Sequence, residues 1–201
     1  MKTILFKSFF ITILLFASSG FSQEKKVEDV KIFVENIGNS IIRIASDSKL
    51  SESQKKQKII LEVDSVVDAS WISKFVLGKY YRDLSEQQKN KFSELYRQFM
   101  INTYGPKFKN YNGKKFEVTR VEKQAIFYTA HTQFFPRDSG NQILIDFRVK
   151  EQNGKLFVID FIAEGISLLE SQRSEFNSAI NQSGIDQFIS NLEKRVESLK
   201  K

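Results

Sequence analysis

The sequence predicts an α+β fold, in which helices pack on one face of a curved four-stranded antiparallel sheet. Apolar residues recur every three or four positions in the first half of the chain and again after residue 165, as in amphipathic helices. Between Lys115 and Ala163 the repeat changes to two, which is typical of strands. Short connections, one of them Asn153-Gly154, indicate that neighbouring strands are antiparallel.

Four helices are predicted before the sheet. The first carries an apolar stripe of Val27, Val30, Val34, Ile37, Ile41 and Ile44. The second follows Ser51, and Asp68 can cap a short third helix that stops at Gly78. Ser85-x-x-Gln88 is a capping box that begins a fourth helix, which ends at Gly105-Pro106. Its stripe is strongly aromatic: Phe92, Leu95, Tyr96, Phe99 and Met100.

The four predicted strands are "KFEVTRVEK", "AIFYTAHTQFF", "QILIDFRVKE" and "KLFVIDFIA", and two more helices follow them. If Asn153-Gly154 is a two-residue turn, Asp160 lies opposite Phe147 and Phe161 lies opposite Asp146. That register puts Asp160 on an apolar face, together with Ile143, Ile145, Phe147, Val149, Val158 and Ile162. One extra residue in the turn would exchange the two faces.

Asp160 is the one carboxylate in an apolar strand, and an ionised carboxylate on such a face needs partners. It could act as a general base, with a tyrosine such as Tyr128 donating a hydrogen bond to an enolate oxygen. Alternatively, it accepts hydrogen bonds from the backbone or from an arginine such as Arg173, and so ties the sheet to the next helix. We favour the structural tie.

Other catalytic and metal sites find little support. His131 is the only histidine and the chain has no cysteine, which excludes a histidine-rich metal site and leaves mainly carboxylates for zinc. A Ser-His-Asp triad could use only His131, which sits in mid-strand without a nucleophile-elbow motif. We therefore predict no catalytic and no metal-binding residues, and interpret His131 as an ordinary strand residue.

The N-terminus has the layout of a secretory signal peptide, with Lys2 and Lys7 before an apolar stretch and small residues up to Ser22. We predict a signal peptide at residues 1–22 and a single domain at residues 23–201. The formal charge is +7, so removal of two lysines leaves 7 − 2 = +5. Basic and acidic residues are interspersed, as on solvated helix faces, and no nucleic-acid surface is expected.

A family resemblance covers nearly the whole predicted domain. It rests on the order and spacing of "WISKFVLGKYYRDLSEQQKNKFSELYRQFMINTYG", four strands, "VIDFIAEGISL", "RSEF" and "SGIDQFISNL". The chain resembles the MlaC family of periplasmic phospholipid-binding proteins, also called the toluene-tolerance family. A departure is Leu156-Phe157 after the Gly154 turn, where the family pattern leads us to expect tryptophan.

This resemblance implies a periplasmic phospholipid carrier with an apolar lipid pocket, no catalysis, and no cofactor other than its lipid cargo. The implied partners are an outer-membrane lipoprotein complex and an inner-membrane ABC transporter with MCE-domain subunits. The resemblance also implies that Asp160 is structural. Two alternatives stay open: a small exported enzyme that uses Asp160 as general base on an apolar substrate, and an interaction domain with a filled core.

The predicted lipid-binding residues come from the helix stripe and the inner face of the sheet, which we expect to face each other. They are Trp71, Phe75, Phe92, Tyr96, Phe99, Ile143, Ile145, Phe147, Val149, Val158 and Ile162. Basic residues that flank the apolar segments are candidates for contact with a lipid headgroup: Lys74, Lys79, Arg82, Lys107 and Lys109.

Overall fold

The computed structural model describes residues 17–104, 113–137 and 140–199. Of the predicted signal peptide it describes only the backbone of residues 17–22, and Lys107 and Lys109 lie outside the described ranges. The helices are α1 (Ala17–Ser46), α2 (Glu52–Val66), α3 (Ala69–Leu77), α4 (Glu86–Tyr104), α5 (Leu168–Ser183) and α6 (Ile185–Ser198), and a 3₁₀ helix spans Gly78–Asp83. The strands are β1 (Gly113–Gln124), β2 (Phe127–Pro136), β3 (Ile143–Gln152), β4 (Lys155–Ala163) and β5 (Ile166–Ser167).

The predicted helix starts before the sheet are confirmed by their capping contacts. Ser51 and Gln54 form a capping box before α2, and the Asp68 carboxylate accepts the Trp71 amide at 2.9 Å. Ser85 Oγ accepts the Gln88 amide at 3.2 Å. These contacts satisfy backbone donors that have no partner inside a helix, so each one fixes where its helix begins. The predicted stop at Gly105-Pro106 lies outside the described residues, and α4 ends at Tyr104.

The strands form one antiparallel sheet in the order β1-β2-β3-β4-β5. The predicted α+β class is confirmed, although the sheet has five strands instead of four. The added strand, β5, is only two residues long, too short to show an alternating pattern. Asn153 and Gly154 both have positive φ, at 52° and 75°, as the predicted hairpin turn requires.

The apolar residues divide into two cores. The sheet core lies between α1 and one face of the sheet, and its buried members are Val30, Val34, Ile37, Val118, Tyr128, Ala130, Phe147, Val149 and Val158. The helical core is built from residues 72–99 and from α5 and α6, and its largest buried side chains are Phe92, Tyr96, Phe99, Phe176 and Phe188. Val67, at the end of α2, packs against both cores.

The expectation that the aromatic stripe of α4 faces the sheet is wrong. Phe92 and Tyr96 meet the ring of Phe176 edge-on, with centroids 6.3 and 5.9 Å apart. Phe176 in turn lies 5.0 Å from Phe188 of α6. The last two helices therefore supply the partners that the sheet was expected to supply. Periodicity identifies a buried face but does not identify what covers it.

A glycine lets α1 cross close to the sheet. A Cβ atom built on Gly38 would lie 2.2 Å from Cδ1 of Phe116, a distance at which something must shift. Phe116 belongs to β1 and packs edge-on against Phe147, with ring centroids 6.0 Å apart. Gly38 therefore sets the distance between α1 and the sheet core.

We expect Gly38→Ala to destabilise the protein by about 1–3 kcal/mol, because overpacking at Phe116 outweighs the better helix propensity of alanine. Urea unfolding followed by circular dichroism measures the change. Gly140→Ala is the control, since a Cβ atom there meets nothing within 4 Å. A Gly38→Ala variant as stable as the parent would contradict this account of the crossing.

Candidate functional site

A β-bulge in β4 decides which way Asp160 points. The predicted register holds from Gln152↔Lys155 to Val149↔Val158, and then Arg148 pairs with Asp160. Ile159 is the extra residue. The predicted pairings of Asp160 with Phe147 and of Phe161 with Asp146 are therefore wrong, because a one-residue shift exchanges the faces of everything beyond it.

The bulge keeps the sheet core apolar. Phe147 pairs with Phe161, and their rings meet at 5.1 Å on the face that α1 covers. Asp160 lies on the opposite face beside Arg148, and Ile162, which pairs with Asp146, lies there too. Of the residues predicted for this apolar face, Ile145, Phe147, Val149 and Val158 are together in the sheet core, whereas Ile162 is not.

The Asp160 carboxylate, in a residue only 3% exposed, is held by three donors. It accepts the Leu169 amide at 2.9 Å, Ser167 Oγ at 2.6 Å and Arg148 Nη1 at 3.2 Å. Burial raises the pKa of Asp160 above its usual value, and these three contacts oppose that shift. Ser167 is also the N-cap of α5 and accepts the Glu170 amide at 3.0 Å. The carboxylate therefore joins β3 and β4 to the start of α5.

The partners expected for Asp160 lie elsewhere. Tyr128 is part of the sheet core, on the face opposite to Asp160, so the two cannot act together on one substrate atom. Arg173 donates to the Phe75 carbonyl at 2.9 Å instead of to Asp160.

Sequence reasoning missed Arg148 and Ser167. Ser167-x-x-Glu170 fits the pattern of a capping box, so the signal for Ser167 was present in the sequence. Arg148 stands between Asp146 and Lys150 in a polar alternation, but only the bulge brings it opposite Asp160. A β-bulge without glycine leaves little trace in a sequence, which explains the missed partner.

Apart from Ile162, the predicted lipid-binding residues fall into two separate groups. Phe92, Tyr96 and Phe99 are buried ring against ring in the helical core, and the stacked pair Trp71 and Phe75, 5.3 Å apart, lies partly buried at its edge. The other group lies in the sheet core. The apolar face of the sheet core reaches solvent at one end. Ile145 pairs with Ala163, and Ala163 pairs with Ile166, so these three residues lie side by side on that face. Ile143 is 43% exposed and Ile166 is 65% exposed there.

Other candidate sites give no support for catalysis or metal binding. His131 lies between two carboxylates, with Nδ1 3.0 Å from Asp146 and Nε2 3.4 Å from Glu122. Within the described ranges, no group of three histidine, aspartate or glutamate residues is placed to hold a metal ion. None of the described helices has the length and apolarity that crossing a bilayer requires.

A surface cleft of about 510 Å³ lies between α1 and α2. It is lined by Ser40, Arg43, Ile44, Asp47, Leu50, Lys58, Leu61, Glu62 and Ser65. None of these is a predicted lipid-binding residue. Charges of both signs line the cleft, so it does not suit an acyl chain.

The predicted headgroup residues that the structure describes are exposed. Lys74 lies on α3, and Lys79 and Arg82 lie in the 3₁₀ helix that follows it. Lys79 Nζ is 5.0 Å from the ring centroid of Tyr80. All three flank the helical core, so they are placed beside the filled core and not on the sheet.

Comparison with known proteins identifies relatives of this chain. One relative is the intermembrane phospholipid transport system binding protein MlaC of Haemophilus influenzae. It is 23% identical to this chain over 155 residues, which cover 74% of this chain and 72% of that protein. A phospholipid-binding protein from Ralstonia solanacearum, solved in complex with a phospholipid, has the same fold with a TM-score of 0.75. It is 17% identical, and the match covers 85% of this chain and 98% of that one.

The family model described as MlaC protein matches residues 35–194, a range that extends from the middle of α1 into α6 and contains the whole sheet and most residues of both cores. The resemblance found in the sequence is therefore confirmed: this chain belongs to the MlaC family.

Proposed function

We propose that this chain is a periplasmic phospholipid carrier that moves lipids between the outer and inner membranes. The observation that carries the proposal is the family match over residues 35–194. The Haemophilus relative is named for an intermembrane phospholipid transport system, and the Ralstonia neighbour was solved with a phospholipid, which supports the same cargo here. Residues 1–22 would direct export and be removed, leaving residues 23–201 as one phospholipid-binding domain.

The acyl chains would lie in the sheet core, between α1 and the sheet. An acyl chain of about 16 carbons loses roughly 13 kcal/mol if left in water, at about 0.8 kcal/mol per CH₂, so a carrier must enclose it. The sheet core supplies a continuous apolar face from Val149 to Ile145, and α1 covers the same face of the neighbouring strands β1 and β2. Ile143 and Ile166 would form the mouth, because they extend this face to solvent.

Within this proposal the predicted lipid-binding residues divide by role. Ile143, Ile145, Phe147, Val149 and Val158 would contact the chains directly. The aromatic residues of the helical core would support that site by holding α3 to α6 together, because their rings already fill their own space. Lys74, Lys79 and Arg82 lie on α3 and the 3₁₀ helix beside the helical core, so the proposal gives them no headgroup contact.

Partners of two kinds follow from the proposed function. The carrier would exchange lipid with an outer-membrane lipoprotein complex and with an inner-membrane ABC transporter that has MCE-domain subunits. Transfer would occur mouth to mouth, since an exposed acyl chain is costly at every intermediate position. The proposal includes no cofactor, no metal ion and no catalytic step.

Lipid extraction from protein purified without detergent tests the cargo. We expect about one phospholipid per protein by mass spectrometry, and less than a tenth of that in Ile145→Asp, because a carboxylate in the sheet core would be desolvated by an acyl chain. Leu61→Asp, on the exposed side of α2, is the control and should keep its lipid. A lipid-free parent protein would refute the carrier, and a folded Ile145→Asp variant with full lipid would refute the site.

The division of roles predicts a different result for the helical core. Phe99→Ala should lose about 3–5 kcal/mol of stability because it leaves a cavity among packed rings. Lipid content per folded molecule should stay unchanged. Urea unfolding and lipid mass spectrometry on the same preparation measure both, and loss of lipid from a folded Phe99→Ala variant would place the cargo against α4 instead.

We propose a structural role for Asp160, and its asparagine variant tests this role against the enzyme alternative. Asp160→Asn should lose about 2 kcal/mol of stability, because an amide group cannot accept from all three donors at once. Asp146→Asn, on the adjacent strand and partly exposed, is the control and should lose less than about 1 kcal/mol. Unchanged stability of Asp160→Asn would contradict the structural role.

A further inference from the structure

The end of the sheet that carries the β1–β2 and β3–β4 turns combines exposed apolar, aromatic and basic side chains. We call it the tip surface and define it by Trp71, Phe75, Lys123, Ile126, Phe127, Lys150 and Lys155. We propose that the tip surface docks on the interface of a bilayer that contains anionic phospholipids. This inference goes beyond the proposed carriage of lipid, since docking and cargo use different residues and either could exist without the other.

The β1–β2 turn has an apolar tip on a strained backbone. Ile126 is 68% exposed, the largest exposed fraction among the exposed large hydrophobic residues of the described chain. The residue before it, Ala125, has φ of 38°, a conformation that non-glycine residues rarely adopt. The β3–β4 turn has Asn153-Gly154 at the equivalent place. It exposes no apolar side chain there, and asparagine and glycine tolerate positive φ better than alanine does. An exposed isoleucine on a strained turn indicates a contact that the isolated chain does not make.

Beside this tip, cations stand over aromatic rings. Lys150 Nζ lies 5.3 Å from the ring centroid of Trp71, and the guanidinium carbon of Arg173 lies 4.7 Å from that of Phe75. Arg148 is similarly placed over Phe127, at 5.1 Å. Partly exposed aromatic rings with lysine and arginine are typical of side chains at the membrane–water boundary, where the rings meet the headgroup layer and the cations meet phosphate.

Arg148 is paired with Asp160 and Glu170, but the other basic side chains here keep their charge available for a ligand. Lys150 donates to the amide oxygen of Gln152 at 2.9 Å, a neutral partner. Arg173 donates to the Phe75 carbonyl, also neutral. Lys123 and Lys155 are exposed at the two turns, which lie at the same end because successive strands are antiparallel. Their charges complement an anionic lipid surface, and each lysine there raises the affinity for that surface about fivefold.

The same composition argues against a protein partner as the occupant. Lysine is depleted from the centres of protein interfaces, where its desolvation is not repaid. Here Lys123, Lys150 and Lys155 lie at the same end of the sheet as Ile126, so a flat protein surface would have to desolvate them together. A bilayer interface receives an apolar tip in its headgroup layer and leaves the lysine side chains hydrated beside phosphate.

Vesicle flotation tests the proposal, with vesicles of phosphatidylcholine alone and of phosphatidylcholine with phosphatidylglycerol at a ratio of about 3:1. We expect the protein to bind only the anionic vesicles, and less at high salt. Ile126→Asp should weaken binding about tenfold, because it removes apolar insertion and adds repulsion. Leu61→Asp is a matched control, as Leu61 is 67% exposed on α2, and it should bind like the parent.

A second pair of variants tests the charge. Lys123→Glu should weaken binding to anionic vesicles more than fivefold, whereas Lys58→Glu, exposed in the cleft beside α2, should not. Circular dichroism confirms that each variant is folded, and lipid content from mass spectrometry shows that the cargo is retained. Absence of binding by the parent, or equal loss with the control variants, would overturn the tip surface as a docking site without affecting the proposed cargo.

Discussion

Burial of the Asp160 carboxylate is the constraint around which the sheet is arranged. An unpartnered charge in the sheet core would cost several kcal/mol. The bulge at Ile159 removes that cost by turning Asp160 to the other face, where Arg148, Ser167 and the amide of Leu169 serve as donors. The same shift turns Phe161 into the sheet core beside Phe147. One inserted residue thus keeps the apolar face continuous and attaches α5 to the sheet.

The two cores then have different physical characters. The helical core is closed by direct ring contacts, such as Phe176 against Tyr96 with centroids 5.9 Å apart. The sheet core has a broad apolar face beneath one long helix and extends to exposed isoleucines at one end. A lipid carrier needs a rigid framework and an apolar site that can exchange its lipid. Under the proposed function the helical core would meet the first requirement and the sheet core the second.

The sequence predicted what depends on local pattern and missed what depends on assembly. Helix stripes, the caps at Ser51, Asp68 and Ser85, and the Asn153-Gly154 turn all rest on interactions within a few residues, and they agree with the structure. The partner of the α4 aromatics depended on where α5 and α6 pack, which no periodicity encodes. The face of Asp160 depended on a bulge, and a single added residue inverts every orientation beyond it.

The close crossing at Gly38 has a consequence for how the molecule opens. Because α1 is the principal cover of the sheet core, and none of its side chains that the structure describes is a buried member of the helical core, its detachment would be a sub-global unfolding event with its own free energy. The remaining helices and the sheet would stay folded around Asp160 during such an opening. Amide hydrogens of α1 would then exchange with solvent faster than those of α4 to α6. The sheet core would become accessible at the rate at which α1 detaches.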